Sequence, residues 1–174
     1  ERVAAHLREA ARALSSAAAS ADCASSLAAI AGAFADAFRA GRKVLICGNG
    51  GSAADSQHVA AELVVRLTAR RSRPPLRAIA LTTDTSILTA CANDFSFEDV
   101  FARQVDALAE QGDVLVGVST SGNSPNVIRA FEAAARRGAT TVLFSGGTGG
   151  KLAPLARLRF LVPSDDTQHI QEVH

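Results

Sequence analysis

Residues 43–62 have the sequence KVLICGNGGSAADSQHVAAE, and this stretch decides the fold. It opens with the pattern of a buried strand at 44–47, breaks at a glycine-rich turn at 48–51, and enters a helix at Ser52. A glycine-rich turn between a strand and a helix points free backbone N–H groups at one spot, and the helix dipole adds positive potential there. The turn therefore predicts a site for an anion, most often a phosphate.

The helix that follows this turn carries His58 and Glu62, an i,i+4 pair on one helix face. A histidine and a carboxylate at this spacing suit a catalytic base or a metal site, and they also occur as an ordinary solvated pair. The turn and the pair lie on one element, roughly one or two helical turns apart. This stretch alone leaves these alternatives open.

From Arg42 onward, strand and helix patterns alternate along the chain. The predicted strands are 43–47, 78–82, 113–118, 140–144 and 158–162, and the predicted helices are 52–66, 84–92, 98–110, 124–137 and 150–155. All strands except the last are continuous apolar runs, which is typical of parallel strands covered on both faces. The repeated unit predicts a doubly wound α/β sandwich.

Residues 1–40 lie outside this alternation and have the apolar spacing of two helices. The weak stretch 15–26 separates them, with Asp22 as a cap or turn, and Gly41 ends the second helix. We expect one domain over residues 1–174, in which 41–174 form the α/β core and the N-terminal helices pack against a neighbouring subunit. The pattern at 167–174 is that of a helix start, so we expect the chain to stop inside its last helix.

A second polar loop follows the third predicted strand, with the sequence Ser119-Thr120-Ser121-Gly122-Asn123-Ser124-Pro125. Ser124 and Pro125 suit the N-cap and the first position of the next helix. Hydroxyls and helix-start N–H groups together favour a phosphate site, and the simpler alternative is a well-capped helix. Ligands of doubly wound sheets bind beyond the carboxyl ends of the strands, where both loops are expected to lie. Two converging anion loops indicate a site more strongly than either loop alone.

Four further features of the sequence bear on the site. Arg66 follows Glu62 on the predicted helix and faces either a substrate oxygen or the solvent. Asn93-Asp94 comes after a helix, as in a site loop or an ordinary turn, and the glycine-rich segment 145–150 is expected to be a flexible turn without chemistry. An arginine cluster is either an anion contact or a solvated loop, and it comprises Arg66, Arg70, Arg71, Arg73 and Arg77.

Gln171 and His174 are i,i+3 neighbours at the end of the chain. Together with His58 and Glu62 they form a donor set that suits a zinc-like ion by ligand type. Their spacing alone does not decide between such an ion and a solvated terminal helix.

Composition excludes several classes of protein. Hydrophobic residues make up 48% and charged residues 20% of the 174 positions, which is typical of a globular domain. A net charge of +1 without a basic face gives no indication of nucleic-acid binding. Three cysteines without metal-like spacing indicate buried thiols in a reducing compartment, and neither a signal peptide nor an apolar run near membrane-spanning length is visible. We therefore expect a cytoplasmic protein without a membrane or nucleic-acid partner, and because the chain holds no methionine, Glu1 is not expected to be its native start.

In their order and spacing, the motifs resemble the phosphoheptose isomerase branch of the sugar isomerase (SIS) domain family. They are Gly48-Asn49-Gly50-Gly51-Ser52 with His58 and Glu62, then Asn93-Asp94, the loop 119–124, and Ile170-Gln171-Glu172-x-His174. The resemblance covers essentially the whole chain. It implies a three-layer αβα sandwich with a flavodoxin-like, five-stranded parallel sheet, and N-terminal helices that help to build a homotetramer with shared active sites.

The family reaction is a ketose–aldose isomerisation of sedoheptulose 7-phosphate to D-glycero-D-manno-heptose 7-phosphate, the first step toward activated heptose for lipopolysaccharide, capsule or other glycans. By matching position, the resemblance implies that the sugar phosphate is held by Asn49, Gly50, Gly51, Ser52, Arg66, Asn93, Asp94, Ser119, Thr120, Ser121, Ser124 and Gln171. It implies that Glu62 is the general base and that His58, Glu62 and Gln171 bind one zinc ion per subunit. The family's last histidine ligand is expected beyond residue 174.

The resemblance also admits proteins that are not enzymes. A relative that binds a replication initiator resembles this chain along its length, but it lacks a carboxylate at the position of Glu62 and has G-N-G-T-S in its first loop. Both positions favour the enzyme here. A sugar-phosphate-sensing SIS domain needs the serine loop but not the His58–Glu62 pair, and a pseudoenzyme would fit the absent terminal histidine.

Overall fold

The computed structural model describes residues 1–70 and 72–174, so Arg71 of the arginine cluster lies outside the described residues. The strands are β1 (Val44–Gly48), β2 (Ala78–Ala80), β3 (Val114–Val118), β4 (Thr140–Gly146) and β5 (Leu158–Val162). They form one sheet in the order β2-β1-β3-β4-β5, and every pairing is parallel. The predicted α/β fold with a five-stranded parallel sheet is confirmed.

The α-helices are α1 (Arg2–Ala19), α2 (Ala21–Arg39), α3 (Gly51–Val64), α4 (Thr85–Asp94), α5 (Ala102–Leu108), α6 (Pro125–Arg136) and α7 (Thr167–Val173). One predicted helix differs at its start, and another is wrong in kind. The helix expected at 98–110 begins as a 3-10 turn, Phe97–Asp99, which the Ser96 hydroxyl opens by accepting from the Glu98 N–H. The helix expected at 150–155 is a 3-10 turn, Gly150–Leu155, in which Pro154 has no N–H to donate.

Helices cover both faces of the sheet because alternate strand residues point to opposite sides. In β1, Leu45 and Cys47 pack into an apolar cluster with residues of α4, α5 and α6. Val44 and Ile46 pack into a second cluster with residues of α1, α2, α3 and α7. Every residue of β1 and of β3 is buried, which explains why these strands are continuous apolar runs.

The junction of the N-terminal helices lies at Ser20, whose hydroxyl accepts a hydrogen bond from the Cys23 N–H at 3.2 Å. The expected cap at Asp22 is therefore wrong, and Asp22 lies in the first turn of α2. The expectation that no apolar run approaches membrane-spanning length is also wrong for α2, which has 19 residues and a mean hydropathy of 1.2. By length and composition alone α2 could cross a bilayer, and in this fold Cys23 and Ile30 of α2 pack into the second apolar cluster.

The strand order places β1 and β3 side by side, and the chain leaves them toward opposite edges of the sheet. Their register runs from Val44 opposite Val114 to Gly48 opposite Val118, so both strands end at the same level. A point at which the strand order reverses leaves a crevice beyond the carboxyl ends of the two strands. The loops that follow β1 and β3 therefore flank the crevice, as the sequence predicts.

Candidate functional site

The first loop turns sharply because its glycines occupy positions closed to other residues. A Cβ on Gly48 would lie 2.8 Å from the Val118 carbonyl oxygen and 2.8 Å from the Ser52 Cβ. Gly50 has φ of 56° and ψ of −122°, a conformation that residues with a side chain rarely adopt. The turn leaves Gly50 and Gly51 exposed at the start of α3, whereas Ser52 is buried beneath them.

The second loop gathers hydroxyl groups at the start of α6. The Ser119 and Ser124 hydroxyl oxygens lie 2.9 Å apart, so Ser124 occupies the N-cap position without bonding a helix N–H through its side chain. The backbone N–H groups of Thr120, Ser121 and Ser124 make no hydrogen bond to any residue that the structure describes. Hydroxyls and unengaged N–H groups at a helix start form a cradle suited to an anion.

A reciprocal amide pair joins the two loops across the crevice. Asn49 donates from Nδ2 to Asn126 Oδ1 at 2.9 Å, and Asn126 donates from Nδ2 to Asn49 Oδ1 at 2.8 Å. Asn126 is buried at the second position of α6. No local sequence pattern identifies Asn126, because its partner is remote in the chain, and only the predicted convergence of the two loops pointed to such a contact.

The end of β4 and the turn that follows it support the second loop, contrary to the expectation of a flexible turn. Ser145 donates its hydroxyl to the Ser119 carbonyl oxygen at 2.6 Å, and the Lys151 N–H donates to the Asn123 side-chain oxygen at 3.1 Å. Gly122, at φ of 64°, packs so closely on the Gly149 carbonyl that no Cβ would fit. These contacts hold the hydroxyl-rich loop in place before any ligand binds.

His58 and Glu62 lie on α3 as predicted. The His58 Nε2 atom is 3.7 Å from Glu62 Oε1, and the His58 side chain is 75% exposed. Glu62 Oε2 is buried and has no hydrogen-bond partner among the described residues. An orphaned carboxylate oxygen beside an exposed imidazole nitrogen fits a divalent ion or a proton acceptor, because both uses need an unengaged lone pair.

Gln171 contacts the first turn of α3. A Cβ added to Gly51 would overlap the Gln171 carboxamide, so the two residues are in close contact. Glu62 lies eleven positions after Gly51 on α3, which is about 16 Å along the helix axis. Within one chain, Gln171 therefore lies at the opposite end of α3 from Glu62, and the three expected metal ligands do not meet.

Asp55 is a further polar residue at this end of α3, and the sequence analysis assigned it no role. Burial raises the pKa of Asp55, and the nearby His174, Gln171 and His58 act in the opposite direction. Its Oδ2 atom is buried without a hydrogen-bond partner among the described residues. The sequence signal that could have identified Asp55 as a site residue is its position three residues before His58, on the same helix face.

His174 packs near Asp55 on the sheet side of α7. Its Nε2 atom donates to the Ser145 carbonyl at 3.2 Å, and its ring lies 5.9 Å from that of Phe144 and 6.2 Å from that of Phe160, centroid to centroid. Burial lowers the pKa of His174, with the Ser145 carbonyl and Asp55 opposing the shift. The imidazole is thus held neutral near pH 7.

Arg66 does not lie on the helix of Glu62, because α3 ends at Val64. Arg73 ends the helix by donating to the carbonyl oxygens of Glu62 at 2.5 Å and Leu63 at 2.8 Å, so this member of the arginine cluster is a helix cap. Arg66 is exposed beyond the helix end.

Asn93 and Asp94 are the last two residues of α4 rather than a turn after it. Both are exposed, and Asn93 donates to the Asp94 carboxylate at 2.8 Å. Among the described residues, no hydrogen bond links their side chains to the loops that flank the crevice.

The thiols of the chain are unsuited to covalent catalysis. Cys23, Cys47 and Cys91 are buried and unpaired among the described residues. Burial raises the pKa of Cys47, which lies at the end of β1 next to the first loop, to about 12. Cys47 therefore remains a protonated thiol near neutral pH and is a poor nucleophile.

Residues 6–146 match the family model of the SIS domain. The phosphoheptose isomerase of Aquifex aeolicus is 59% identical over 145 residues, which cover 83% of this chain and 75% of that protein. Among such curated relatives, the chain spans between 64% and 75% of the relative's length. The solved phosphoheptose isomerase of Neisseria gonorrhoeae has 43% identity and a TM-score of 0.88 over 99% of this chain and 91% of its own. That of Francisella tularensis has 34% identity and a TM-score of 0.92 over 98% and 89%.

Proposed function

The chain belongs to the phosphoheptose isomerase family of SIS domain proteins, and from this premise we propose that it converts sedoheptulose 7-phosphate to D-glycero-D-manno-heptose 7-phosphate, the first step of activated heptose synthesis. One observation carries the proposal. The Asn49–Asn126 pair joins an anion cradle to the start of α3, and the same helix carries a carboxylate oxygen of Glu62 that has no hydrogen-bond partner among the described residues. A sugar-phosphate-binding module needs only the anion-binding loop, whereas an isomerase also needs a general base.

In this proposal the phosphate is bound by the second loop, through Ser119, Thr120, Ser121 and Ser124. The unengaged N–H groups of that loop and the start of α6 favour a dianion there. The sugar chain is lined by Asn49, Gly50, Gly51, Ser52, Arg66, Asn93, Asp94 and Gln171. The phosphate does not react, and its binding energy orients the reacting carbons.

Glu62 is proposed as the general base. It takes a proton from C1 of the ketose and returns it to C2 through an enediol, and a hydroxyl proton moves from O1 to O2 as the carbonyl function moves from C2 to C1. A single carboxylate reaches both carbons because they are adjacent. The Oε2 atom supports this role, because it is buried and has no hydrogen-bond partner in the part of the chain that the structure describes.

We propose that His58, Glu62 and Gln171 hold one zinc ion per subunit, a nitrogen and oxygen donor set that zinc accepts. When bound, the ion would supply positive charge against the negative charge that develops on the sugar oxygens. Because Gln171 of one chain lies at the far end of α3 from Glu62, we propose that the Gln171 of a second copy completes the set.

A homotetramer would supply this second copy, and the first helix supports it. Val3, Leu7 and Leu14 of α1 are 75%, 64% and 57% exposed, a row of large apolar side chains left open to a partner. We propose that residues 1–174 form one SIS domain in which residues 1–40 serve oligomer packing. The protein is proposed to act in the cytoplasm, which buried unpaired cysteines support.

The test of the activity is an isomerase assay with sedoheptulose 7-phosphate. Conversion to the aldose is measured before chelation, after chelation and after zinc is added back. We expect conversion that falls with chelation and returns with zinc. Binding of the sugar phosphate without conversion under all three conditions would refute the isomerase and favour an adaptor or sensor.

The shared site predicts complementation between two inactive variants, Glu62→Gln and Gln171→Ala. If a site takes Glu62 from one copy and Gln171 from another, random mixing restores about a quarter of the sites. The measurement is turnover of the co-expressed mixture. Mixing His58→Gln with Glu62→Gln is the control, because both residues lie on one helix face and no site is restored. If the mixture of Glu62→Gln and Gln171→Ala is as inactive as this control, all three metal ligands come from one chain and the shared site is refuted.

A further inference from the structure

A second group of metal-type ligands lies where α1 packs against α7. His6 and Glu9 are i,i+3 neighbours on α1, and His169 and Glu172 are i,i+3 neighbours on α7. One ligand atom from each of His6, Glu9 and His169 lies within 4.8 Å of the other two. The two imidazole rings are 4.9 Å apart, centroid to centroid, and His169 Nε2 is 3.8 Å from Glu9 Oε2.

Hydrogen bonds orient both imidazoles toward one point. Glu172 Oε2 lies 2.9 Å from His169 Nδ1, and because a carboxylate only accepts, Nδ1 carries the proton. In the neutral imidazole the lone pair of His169 is then on Nε2, which faces Glu9. The Gln168 amide nitrogen lies 2.9 Å from His6 Nε2, so the amide donates and His6 also has its lone pair on Nε2.

The contact between Glu172 and His169 is of a kind found in metal proteins, where a ligating histidine donates its other ring N–H to a carboxylate. A carboxylate on the far ring nitrogen fixes the tautomer and raises the basicity of the ligating nitrogen. His169 is only 7% exposed, so its ring is already held by its surroundings. The His6 and Glu9 side chains are 42% and 60% exposed, which leaves an entry path for an ion from solvent.

This group is separate from the proposed catalytic donors. Gln171 contacts Gly51 at the start of α3. His169 lies two residues before it, and residues two apart on a helix do not share a face. The His169 ring instead contacts α1.

We propose that His6, Glu9 and His169 bind a zinc-class divalent ion that clamps the first helix to the last. The ligands are His6 Nε2, a Glu9 carboxylate oxygen and His169 Nε2, with Glu172 holding His169 and water in the fourth position. Two imidazole nitrogens and one carboxylate oxygen form a donor set that zinc accepts in four-coordinate sites. The ion replaces the Gln168 amide at His6 and shortens the distances between the three ligands.

The experiment measures zinc bound per chain after equilibrium dialysis, in a background that carries His58→Gln and Glu62→Gln so that the proposed catalytic donors do not contribute. We expect one zinc ion per chain in this background and its loss when His6→Gln or Glu9→Gln is added. Arg8→Gln, an exposed change on the same helix, is the matched control and should retain the ion. Glu172→Gln should weaken zinc binding about 10–100-fold, because it removes the support of His169 and no ligand.

A thermal readout tests the clamp without any enzyme assay. Zinc at roughly a hundred times its Kd should raise the Tm of the background protein by about 5–10 °C, and it should leave the His6→Gln form unchanged. Equal zinc stoichiometry and equal affinity in the background, His6→Gln and Glu9→Gln forms would overturn the proposal. A Tm shift that persists in His6→Gln would overturn it as well.

Discussion

Asp113 lies just before β3, and its carboxylate connects the starts of β1 and β3. It accepts hydrogen bonds from the Lys43 N–H at 2.9 Å and the Glu110 N–H at 2.8 Å, and the Lys43 ammonium lies 2.7 Å away. The Asp113 side chain has no exposed area, and the Lys43 side chain is 12% exposed. This contact fixes the ends of the two strands whose opposite ends carry the site loops.

We predict that Asp113→Asn lowers the free energy of unfolding at pH 7 by about 3–5 kcal/mol, the cost of breaking a buried ion pair. An asparagine oxygen still accepts from one N–H, but its NH₂ group faces the other donor. The Lys43 ammonium then keeps only the Glu110 carboxylate, which lies 3.9 Å away and is 62% exposed. For a chain of this size the expected fall in Tm is about 6–20 °C.

The difference in the free energy of unfolding between wild type and Asp113→Asn should become smaller at acidic pH. Burial by itself would raise the pKa of Asp113, but the hydrogen bonds from Lys43 and Glu110 outweigh burial and hold the pKa below its ordinary value. A lowered pKa in the folded state contributes stability that is present above the unfolded pKa, about 3.9, and is lost as the pH falls through the folded value. The gap between wild type and Asp113→Asn is therefore widest near neutrality and narrows below about pH 4.

Urea unfolding followed by circular dichroism, at matched protein concentrations, measures both effects. The control is Asp36→Asn, which breaks a pair with Arg39 of similar length, 2.7 Å, whose side chains are 78% and 74% exposed. Solvent screening limits its cost to about 1 kcal/mol or less. The reasoning fails if Asp113→Asn costs less than about 1 kcal/mol or if the two variants lose equal stability.

Three further changes test the site. Gly51→Ala places a Cβ where the Gln171 carboxamide lies, so turnover should fall about 100-fold while the flexible side chain yields and stability changes little. Ser121→Ala combined with Ser124→Ala should weaken sugar-phosphate binding about 10–100-fold, measured by calorimetry, because two proposed donors to the phosphate are lost. Glu62→Gln should lower kcat about 10²–10⁴-fold and leave that binding nearly unchanged, because it removes the proposed base and not the proposed anion cradle.

Matched variants separate these effects from general damage. Gly50→Ala has nothing within 4 Å of its Cβ but occupies φ of 56°, so it should lose about 1–3 kcal/mol of stability without displacing Gln171. Ser25→Ala, on the exposed face of α2, should leave sugar-phosphate binding unchanged. Full turnover in Gly51→Ala, unchanged binding in the double serine variant, or near-normal kcat in Glu62→Gln would each contradict its prediction.

Much of the fold was predictable because its signals are local. Continuous apolar runs identified the strands, and glycines with positive φ, such as Gly41 and Gly138, lie directly after the helices they end. The end of α3 was not predictable in this way. Its last carbonyls are bonded by Arg73, which lies beyond the helix, and a helical pattern alone extends through Arg66.

Those parts of the candidate site whose residues lie within one short segment were predictable. The two loops and the His58–Glu62 pair follow from glycine, hydroxyl and i,i+4 spacing, and the alternating pattern placed both loops at the carboxyl ends of strands. The remaining contacts join residues that are distant in the chain. Asn49 and Asn126 are 77 positions apart, and His6 and Gln168 are 162 apart.

The sequence by itself therefore determined the layered α/β architecture and the positions of the two polar loops, because each depends on neighbours within a few positions. Only the tertiary structure decided which polar groups meet. It paired Asn49 with Asn126 and placed His6 and Glu9 next to His169. It also brought Gln171 to Gly51, at the end of α3 away from Glu62. The physical reason is that strand order and helix packing fix the distances between these residues, and a local sequence pattern does not predict such distances.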